Sequence, residues 1–206
     1  METLLINIIL EKNNLYMTKI LITLLLSCFL YNYTFAQKNP IFIDERDNNV
    51  YKTIQIGEQI WMAENLRYAT DSCSWCYDND TNCFSYGKLY TWDEAINSCP
   101  EGWHLPTKHE WDQVIIYYKQ LYLTKKKHSN IENNNNKQIL KFNLKLGGYK
   151  EGNSFIRKHK DAYFWSGTEP YPVYAYFAIF SEEYKVITTD ILYREFGMSV
   201  RCIKDK

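Results

Sequence analysis

YGKLYTWDEAINSCPEGWHLPTKHEW, residues Tyr86 to Trp111, is the stretch that decides the fold. Thr91 is followed three residues later by Glu94, and Thr107 three residues later by Glu110. Each pair predicts a capping box, in which a hydroxyl and a carboxylate satisfy amide donors left free at a helix start. One helix is therefore expected at about Trp92 to Ser98 and a second after Thr107. The second presents Trp111, Val114, Ile115 and Tyr118 at helical spacing, an apolar stripe suited to a core. Between the helices lies Cys99-Pro100-Glu101-Gly102-Trp103-His104-Leu105-Pro106, a rigid connector whose cysteine invites a covalent tie elsewhere. Trp103, His104, Leu105, Pro106, Thr107, Glu110 and Trp111 thus read as scaffold, with no group arranged to do chemistry.

Working outward, Lys38 to Phe42 reads as a short entry strand and Asp47-Asn48-Asn49 as a turn. Val50 to Ile56 alternates as a strand should, with Tyr51, Thr53 and Gln55 on one face and Val50, Lys52, Ile54 and Ile56 on the other. Gly57-Glu58 turns the chain back into Gln59 to Met62, a hairpin. Ala63 to Leu66 then leads into a loop holding a small cysteine cluster. Past the second helix, Leu123 to Lys137 becomes KKKHSNIENNNNK, a polar low-complexity insert near 124–137 that can bury nothing. Strands are expected again at Ala162 to Trp165, Val173 to Phe180, Tyr184 to Thr188 and Met198 to Ile203. VYAYFAIF, residues Val173 to Phe180, is apolar on both faces and fits a central, doubly covered strand. Two short helices and many strands predict an α+β fold with a mainly antiparallel sheet.

The first 36 residues read as a leader. Met1 to Tyr16 carries Glu2 and Glu11 where positive charge is expected, so the natural start is placed at Met17. From there Thr18-Lys19, an apolar run from Ile20 to Leu30, and Thr34-Phe35-Ala36 before Gln37 describe a secretory signal peptide. The apolar run is shorter than the roughly 20 residues a spanning helix needs. A rival reading takes Leu25-Leu26-Ser27-Cys28 as a lipoprotein signal with Cys28 acylated, against which Leu26 and the apolar Phe29-Leu30-Tyr31 argue. Residues 37–206 are enough for one domain with a sizeable core. The 24 basic and 24 acidic residues balance, which disfavours nucleic acid or an anionic membrane surface as a partner. Aromatics make up 17% of the chain, more than a core of this size needs, so some aromatic surface is expected to be free for stacking on a ligand.

Five cysteines follow the leader: Cys73, Cys76, Cys83, Cys99 and Cys202. An exported chain permits disulfides. Cys76 and Cys83 bracket a six-residue loop and are read as one pair, leaving Cys73 over. The C-x-x-C spacing of Cys73 and Cys76 raises zinc as an alternative, but the segment lacks the second set of ligands that structural zinc requires. Asp78, Asp80 and Thr81 offer oxygens to calcium, which takes roughly six to eight; an acidic solvated turn is the favoured reading.

The same blocks resemble the Fibrobacter succinogenes major paralogous (FISUMP) domain family of bacterial exported proteins. The resemblance rests on Asp44-Glu45-Arg46-Asp47, YKTIQIGEQIWMAENL from Tyr51 to Leu66, Cys76 to Asp80 with Cys83, Tyr86 to Trp111, Tyr163-Phe164-Trp165-Ser166-Gly167-Thr168-Glu169, and Gly197-Met198-Ser199-Val200-Arg201-Cys202. It implies a layout similar to the C-type lectin-like fold: two helices packed on a mainly antiparallel sheet, stapled by a long-range bridge that pairs Cys99 with Cys202. Between the second helix and Phe164-Trp165-Ser166 the chain departs from the family, with only Phe142 to Tyr149 matching its glycine- and tryptophan-rich stretch.

Trp165, Ser166, Thr168 and Glu169, with Asp78 and Asp80, are the candidate ligand-binding residues, a tryptophan face and small hydroxyls at a strand end being able to meet a sugar ring. For Trp165 itself core packing is the favoured reading. His104 reads as a structural histidine bonded to backbone, since no nucleophile or acid stands near it in sequence. No glycine-rich phosphate loop, HExxH or GxSxG is present, and no enzyme activity, cofactor or metal is expected. The expected role is a secreted or surface-exposed non-catalytic binding module for a glycan or a protein. The alternative is a structural envelope component without a small ligand.

Overall fold

Among the described residues from Ile41 onward there are thirteen short strands and three helices. The computed structural model describes residues 40–77, 80–127, 142–184 and 186–206, with parts of 12–27. The chain divides into two compact units, Met1–Pro40 and Ile41–Lys206. In the first, residues 15–25 are helical. Among the described residues no helix is long and apolar enough to cross a membrane. The expectations at Cys28, Ala36, Gln37, Lys38, Asp78 and residues 128–137 lie outside the described residues, as do the side chains of Asp80 and Thr81.

The second unit is α+β. In chain order it runs β1 (Ile41–Ile43), β2 (Val50–Ile56), β3 (Gln59–Met62), β4 (Ser74–Trp75), α1 (Asp80–Tyr86), β5 (Leu89–Tyr90), α2 (Trp92–Ala95), β6 (Trp103–His104) and α3 (Lys108–Lys127). Then come β7 (Tyr149–Glu151), β8 (Ser154–Ile156), β9 (Asp161–Trp165), β10 (Tyr174–Ser181), β11 (Val186–Tyr193), β12 (Met198–Ser199) and β13 (Ile203–Lys204). One sheet has the order β1-β2-β3-β13-β6, a second β11-β10-β9-β12-β5-β4, and β7-β8 is a separate hairpin. The strand pairs are antiparallel except β9 with β12, which meet in parallel at Phe164 and Ser199.

Strand alternation feeds two apolar cores. Tyr163 and Trp165 enter a core with Tyr51, Met62, Leu66, Tyr90 and Cys202, while Ala162 and Phe164 enter another with Ile54, Trp61, Trp111 and Val114. A strand covered on both faces must be apolar on both, and β10 obeys this, with Ala175 and Phe177 in one core and Ala178 and Phe180 in the other. The same demand explains β2, where Tyr51, Thr53, Ile54 and Ile56 are all buried despite lying on opposite faces. Trp61 and Trp111, both fully enclosed, have ring centroids 4.9 Å apart, and Phe142 meets Trp61 edge-on at 5.7 Å. Each such aromatic pair adds about 0.5–1.5 kcal/mol beyond its burial.

Both expected disulfides are present, Cys76–Cys83 and Cys99–Cys202, with Cα separations of 4.8 and 5.8 Å. Cys73 is free, so the C-x-x-C pair does not close.

Several expectations need correction. The capping box at Thr107 forms: Glu110 N–H donates to Thr107 Oγ1 at 3.2 Å and Thr107 N–H to Glu110 Oε2 at 2.8 Å. The one at Thr91 does not, for Thr91 makes no side-chain cap and Glu94 Oε1 accepts instead from Ser72 Oγ at 2.5 Å. The first helix stops at Ala95, where the Ser98 hydroxyl takes the Ala95 carbonyl at 2.9 Å and a turn follows. α3 continues through Lys127, so residues 124–127 are helix rather than insert; Leu121 to Lys127 contains no helix breaker. Tyr184 lies in a turn and β11 runs on to Tyr193, its length set by eight-residue pairing with β10. The expected last strand divides, because β12 and β13 belong to different sheets and Val200 to Cys202 crosses between them. The cysteine loop holds α1, and the β7–β8 hairpin went unforeseen. Ahead of that hairpin Gly148 has φ +64°, and a Cβ there would meet Ile156 O at 2.0 Å, so only glycine passes.

Arg201 locks the crossing. Its fully buried guanidinium donates to Asn65 Oδ1 at 2.5 Å, to Asn143 O at 3.1 Å and to Phe142 O, and lies 4.6 Å from the Phe142 ring. Burial lowers its pKa to about 9, so it stays charged at neutral pH.

Candidate functional site

The tract nominated from sequence is woven into the framework. Trp165 is 0% exposed and its indole N–H donates to Tyr90 O at 2.7 Å, so it has no face for a ligand. Ser166 is equally enclosed, its carbonyl accepting from Trp92 Nε1 at 2.7 Å. Thr168 Oγ1 accepts from Lys108 N–H at 2.9 Å and so serves the start of α3. Glu169 reaches the surface, where Oε1 takes Arg194 Nη1 at 2.8 Å, and the same guanidinium also pairs with Asp93.

What the tract does is position its neighbour. Ser166 N–H and Tyr176 N–H exchange bonds with Tyr176 O and Thr168 O at 2.9 and 3.0 Å, fixing the incoming end of β10. Directly after Glu169 the chain makes a tight turn, closed by Tyr174 N–H on Tyr171 O at 3.1 Å. Val173, inside that turn, has φ +68°, a conformation that β-branched side chains rarely take. Tyr171 and Val173 are thereby 64% and 59% exposed.

Tyr174 faces Tyr193 across β10 and β11, ring centroids 4.5 Å apart, and Tyr176 follows on the same side opposite Ile191. The side chains of Phe180 and Ile187, further along this face, enter the core beneath α3. The tyrosine end lies past the start of that helix, with Lys108 Nζ 5.6 Å from the Tyr176 ring centroid and tied to Asp112 Oδ2 at 2.8 Å. The Tyr174 hydroxyl bonds to Tyr193, which raises the Tyr174 pKa and keeps it neutral. The result is an open tyrosine face, Tyr171, Tyr174, Tyr176 and Tyr193, while Arg194 turns away to stack on Trp92 with its guanidinium 4.2 Å from that ring. The sequence reading missed it by taking Val173 to Phe180 as uniformly covered. The Tyr-x-Tyr spacing of Tyr174 and Tyr176 was the available signal.

His104 also departs from expectation. It bonds to two carboxylates instead of backbone: Nδ1 to Asp205 Oδ1 at 2.5 Å and Nε2 to both oxygens of Glu110 at 3.1 Å. Asp205 stands 101 residues downstream and β13 pairs beside β6 to bring it there, which no local reading could find. Partial burial works against the charged imidazole, but the hydrogen bonds to Asp205 and Glu110 prevail and raise its pKa. Burial likewise opposes the Glu110 charge, yet bonds from Thr107 and His104 leave its pKa lowered. With both ring nitrogens occupied, His104 works as a clasp. Among the described residues no cluster of three His, Cys, Asp or Glu side chains could hold a metal.

Residues 54–204 match the family described as the Fibrobacter succinogenes major domain. The chain belongs to this family. The match covers well over half the chain and takes in β3, the capped α3, the tyrosine face and Arg201, so the Fibrobacter succinogenes major domain includes both disulfides. No curated protein and no solved structure matches the chain.

Proposed function

We propose that this Fibrobacter succinogenes major domain is an extracytoplasmic, non-catalytic binding module whose ligand is a glycan received on the tyrosine face. The observation that carries the reading is that face itself: Tyr171, Tyr174 and Tyr193 at a sheet end, with Ser166 and Thr168 of the preceding tract bonded to the Tyr176 backbone beside them. Tyrosine offers a large, rigid, amphipathic contact with few torsions to freeze, and stacking on the apolar face of a pyranose ring uses both its ring and its hydroxyl. The strained turn at Val173 supports the reading, because unfavourable backbone is retained where the surrounding structure has a use for it. The two disulfides and the leader support an oxidising compartment outside the cytoplasm. The capped helix, the sheet and the Cys99–Cys202 clasp favour a C-type lectin-like layout.

A glycan array probed with the oxidised protein, with and without calcium, tests the proposal. Binding is expected for the intact protein and is expected to fall at least tenfold in Tyr174→Ala/Tyr193→Ala. Signals at background throughout, or a double variant that binds as well as the parent, would remove the glycan reading in favour of a structural envelope role. Mass spectrometry of exported material then separates a free amino terminus at Gln37 from a lipid on Cys28.

A further inference from the structure

Tyr171, Pro172 and Val173 form the outer end of the turn ahead of β10, three consecutive apolar residues that are all exposed. The turn is held from inside. Tyr174 N–H donates to Tyr171 O at 3.1 Å and Arg194 N–H to Val173 O at 3.0 Å. Pro170 and Pro172 bring no amide N–H, and each fixes its own φ at about −65°. The tip is therefore stiff, apolar and poor in backbone groups that could bond to a ligand.

Val173 is the anomaly within it. At φ +68° an L residue crowds its Cβ against the backbone, and branching at Cβ adds to the crowding. Among the described non-glycine residues with positive φ, Val173 alone is β-branched. Glycine or asparagine takes this conformation easily, as Asn48 does at φ 59°. Burial does not offset the strain, since Val173 is 59% exposed. Strain and exposure thus both count against the valine as a folding element. An apolar side chain held outward against its own conformational preference has its use at the surface.

The chemistry of the tip narrows what meets it. The adjoining tyrosines carry rings and hydroxyls, which suit the C–H face and hydroxyl rim of a sugar. Val173 and the proline rings offer no donor or acceptor, so the group that fits against them is a methyl. A hydroxymethyl group there would give up water for a surface that cannot bond to it, and an acetamido group would bring an amide with the same need. Among hexoses, the 6-deoxy sugars carry a methyl in place of the hydroxymethyl group.

We infer that Val173, beside Tyr171, makes the tyrosine face selective for 6-deoxyhexoses by packing on their methyl group. This rests on the glycan reading of that face and adds the sugar class. Oxidised protein with isotope-labelled valine methyls and tyrosine rings is titrated with methyl α-L-fucoside against methyl α-L-galactoside, and with methyl α-L-rhamnoside against methyl α-L-mannoside. The members of each pair differ only by the 6-hydroxyl. At least one 6-deoxy sugar is expected to shift the Val173 methyls together with the Tyr174 and Tyr193 rings. It should bind about fourfold or more tightly than its hydroxylated partner, the worth of one buried methyl-sized group. Val173→Thr keeps the branching but exchanges a methyl for a hydroxyl, and is expected to abolish that preference. Val173→Asn, relieved of strain, is expected to melt no lower than the parent while losing the preference too. Val173 methyls that stay still, equal affinities within both pairs, or a parental preference in Val173→Thr would overturn the tip. Tyrosine rings that move in the same titrations, or signals on the glycan array, then leave the tyrosine face standing. Silence in both removes the face and the tip together.

Discussion

Opening the Cys99–Cys202 bridge should cost this domain more than any other single covalent change. The two cysteines are 103 residues apart in sequence, and Cys202 is fully buried in the first core. On the chain-entropy view a closed loop of that length stabilises the fold by about 4.7 kcal/mol, by restricting the unfolded chain. Cys76–Cys83, separated by 7 residues, contributes about 2.5 kcal/mol on the same relation. The loops do not overlap, so the losses should add to about 7 kcal/mol, comparable to the ~5–15 kcal/mol total of a typical domain. The perturbation is Cys99→Ala/Cys202→Ala, set beside Cys76→Ala/Cys83→Ala and the combined variant. Urea unfolding followed by tryptophan fluorescence supplies the free energies, with the slope of each transition checked for constancy. The long-loop variant should lose about twice as much as the short-loop variant, and the combined variant should be mostly unfolded without denaturant. A reversed order, or a long-loop loss below about 1 kcal/mol, would refute the argument that these bridges act through the unfolded chain.

Arg201→Met should destabilise by about 3 kcal/mol or more, because Asn65 Oδ1, Phe142 O and Asn143 O lose their buried donor together. A loss under about 1 kcal/mol in the same urea assay would contradict that. Thr107→Ala should cost about 1 kcal/mol through the lost cap, whereas Thr91→Ala, which removes no cap bond, should stay within about 0.5 kcal/mol. Equal effects would mean the capping geometry is misassigned. The His104 clasp gives stability a pH dependence on two sides. With its pKa raised, His104 contributes fully below about 6.5, and that contribution fades as the pH rises through the raised native value. Glu110, lowered from 4.5, contributes above that value and loses its share as the pH falls through the lowered one. The His104 side chain is 40% exposed, so the effect is on the order of 0.5 kcal/mol. Melting curves should show the decline on the alkaline side in the parent and its absence in His104→Asn; superimposable profiles would dismiss the clasp.

Local signals in the sequence were read well where they were sufficient. Thr107 and Glu110 act through contacts three residues apart, and Val50 to Met62 forms a hairpin set by Gly57. Gly57 has φ +60°. Thr91 and Glu94 have the same spacing as Thr107 and Glu110, but Ser72 arrives from elsewhere and takes the carboxylate. Periodicity cannot foresee such a competitor. Of the candidate ligand tract, Trp165 packs in the core, as its favoured reading had it, and Ser166 is enclosed beside it. Ser166 looks like surface chemistry until β9, buried at every residue, is seen to lead into it. The partner of His104 was invisible for a simpler reason, since only the meeting of β13 with β6 brings Asp205 near.

Residues 198–204 supply β12, wedged between β9 and β5, and β13, wedged between β3 and β6. Neither sheet is continuous without them. One short segment therefore completes both sheets, and the Leu66 and Met62 amides donate to the Val200 and Cys202 carbonyls that link its two strands. Removing residues 198–204 would accordingly break both sheets at once, a loss out of proportion to seven residues.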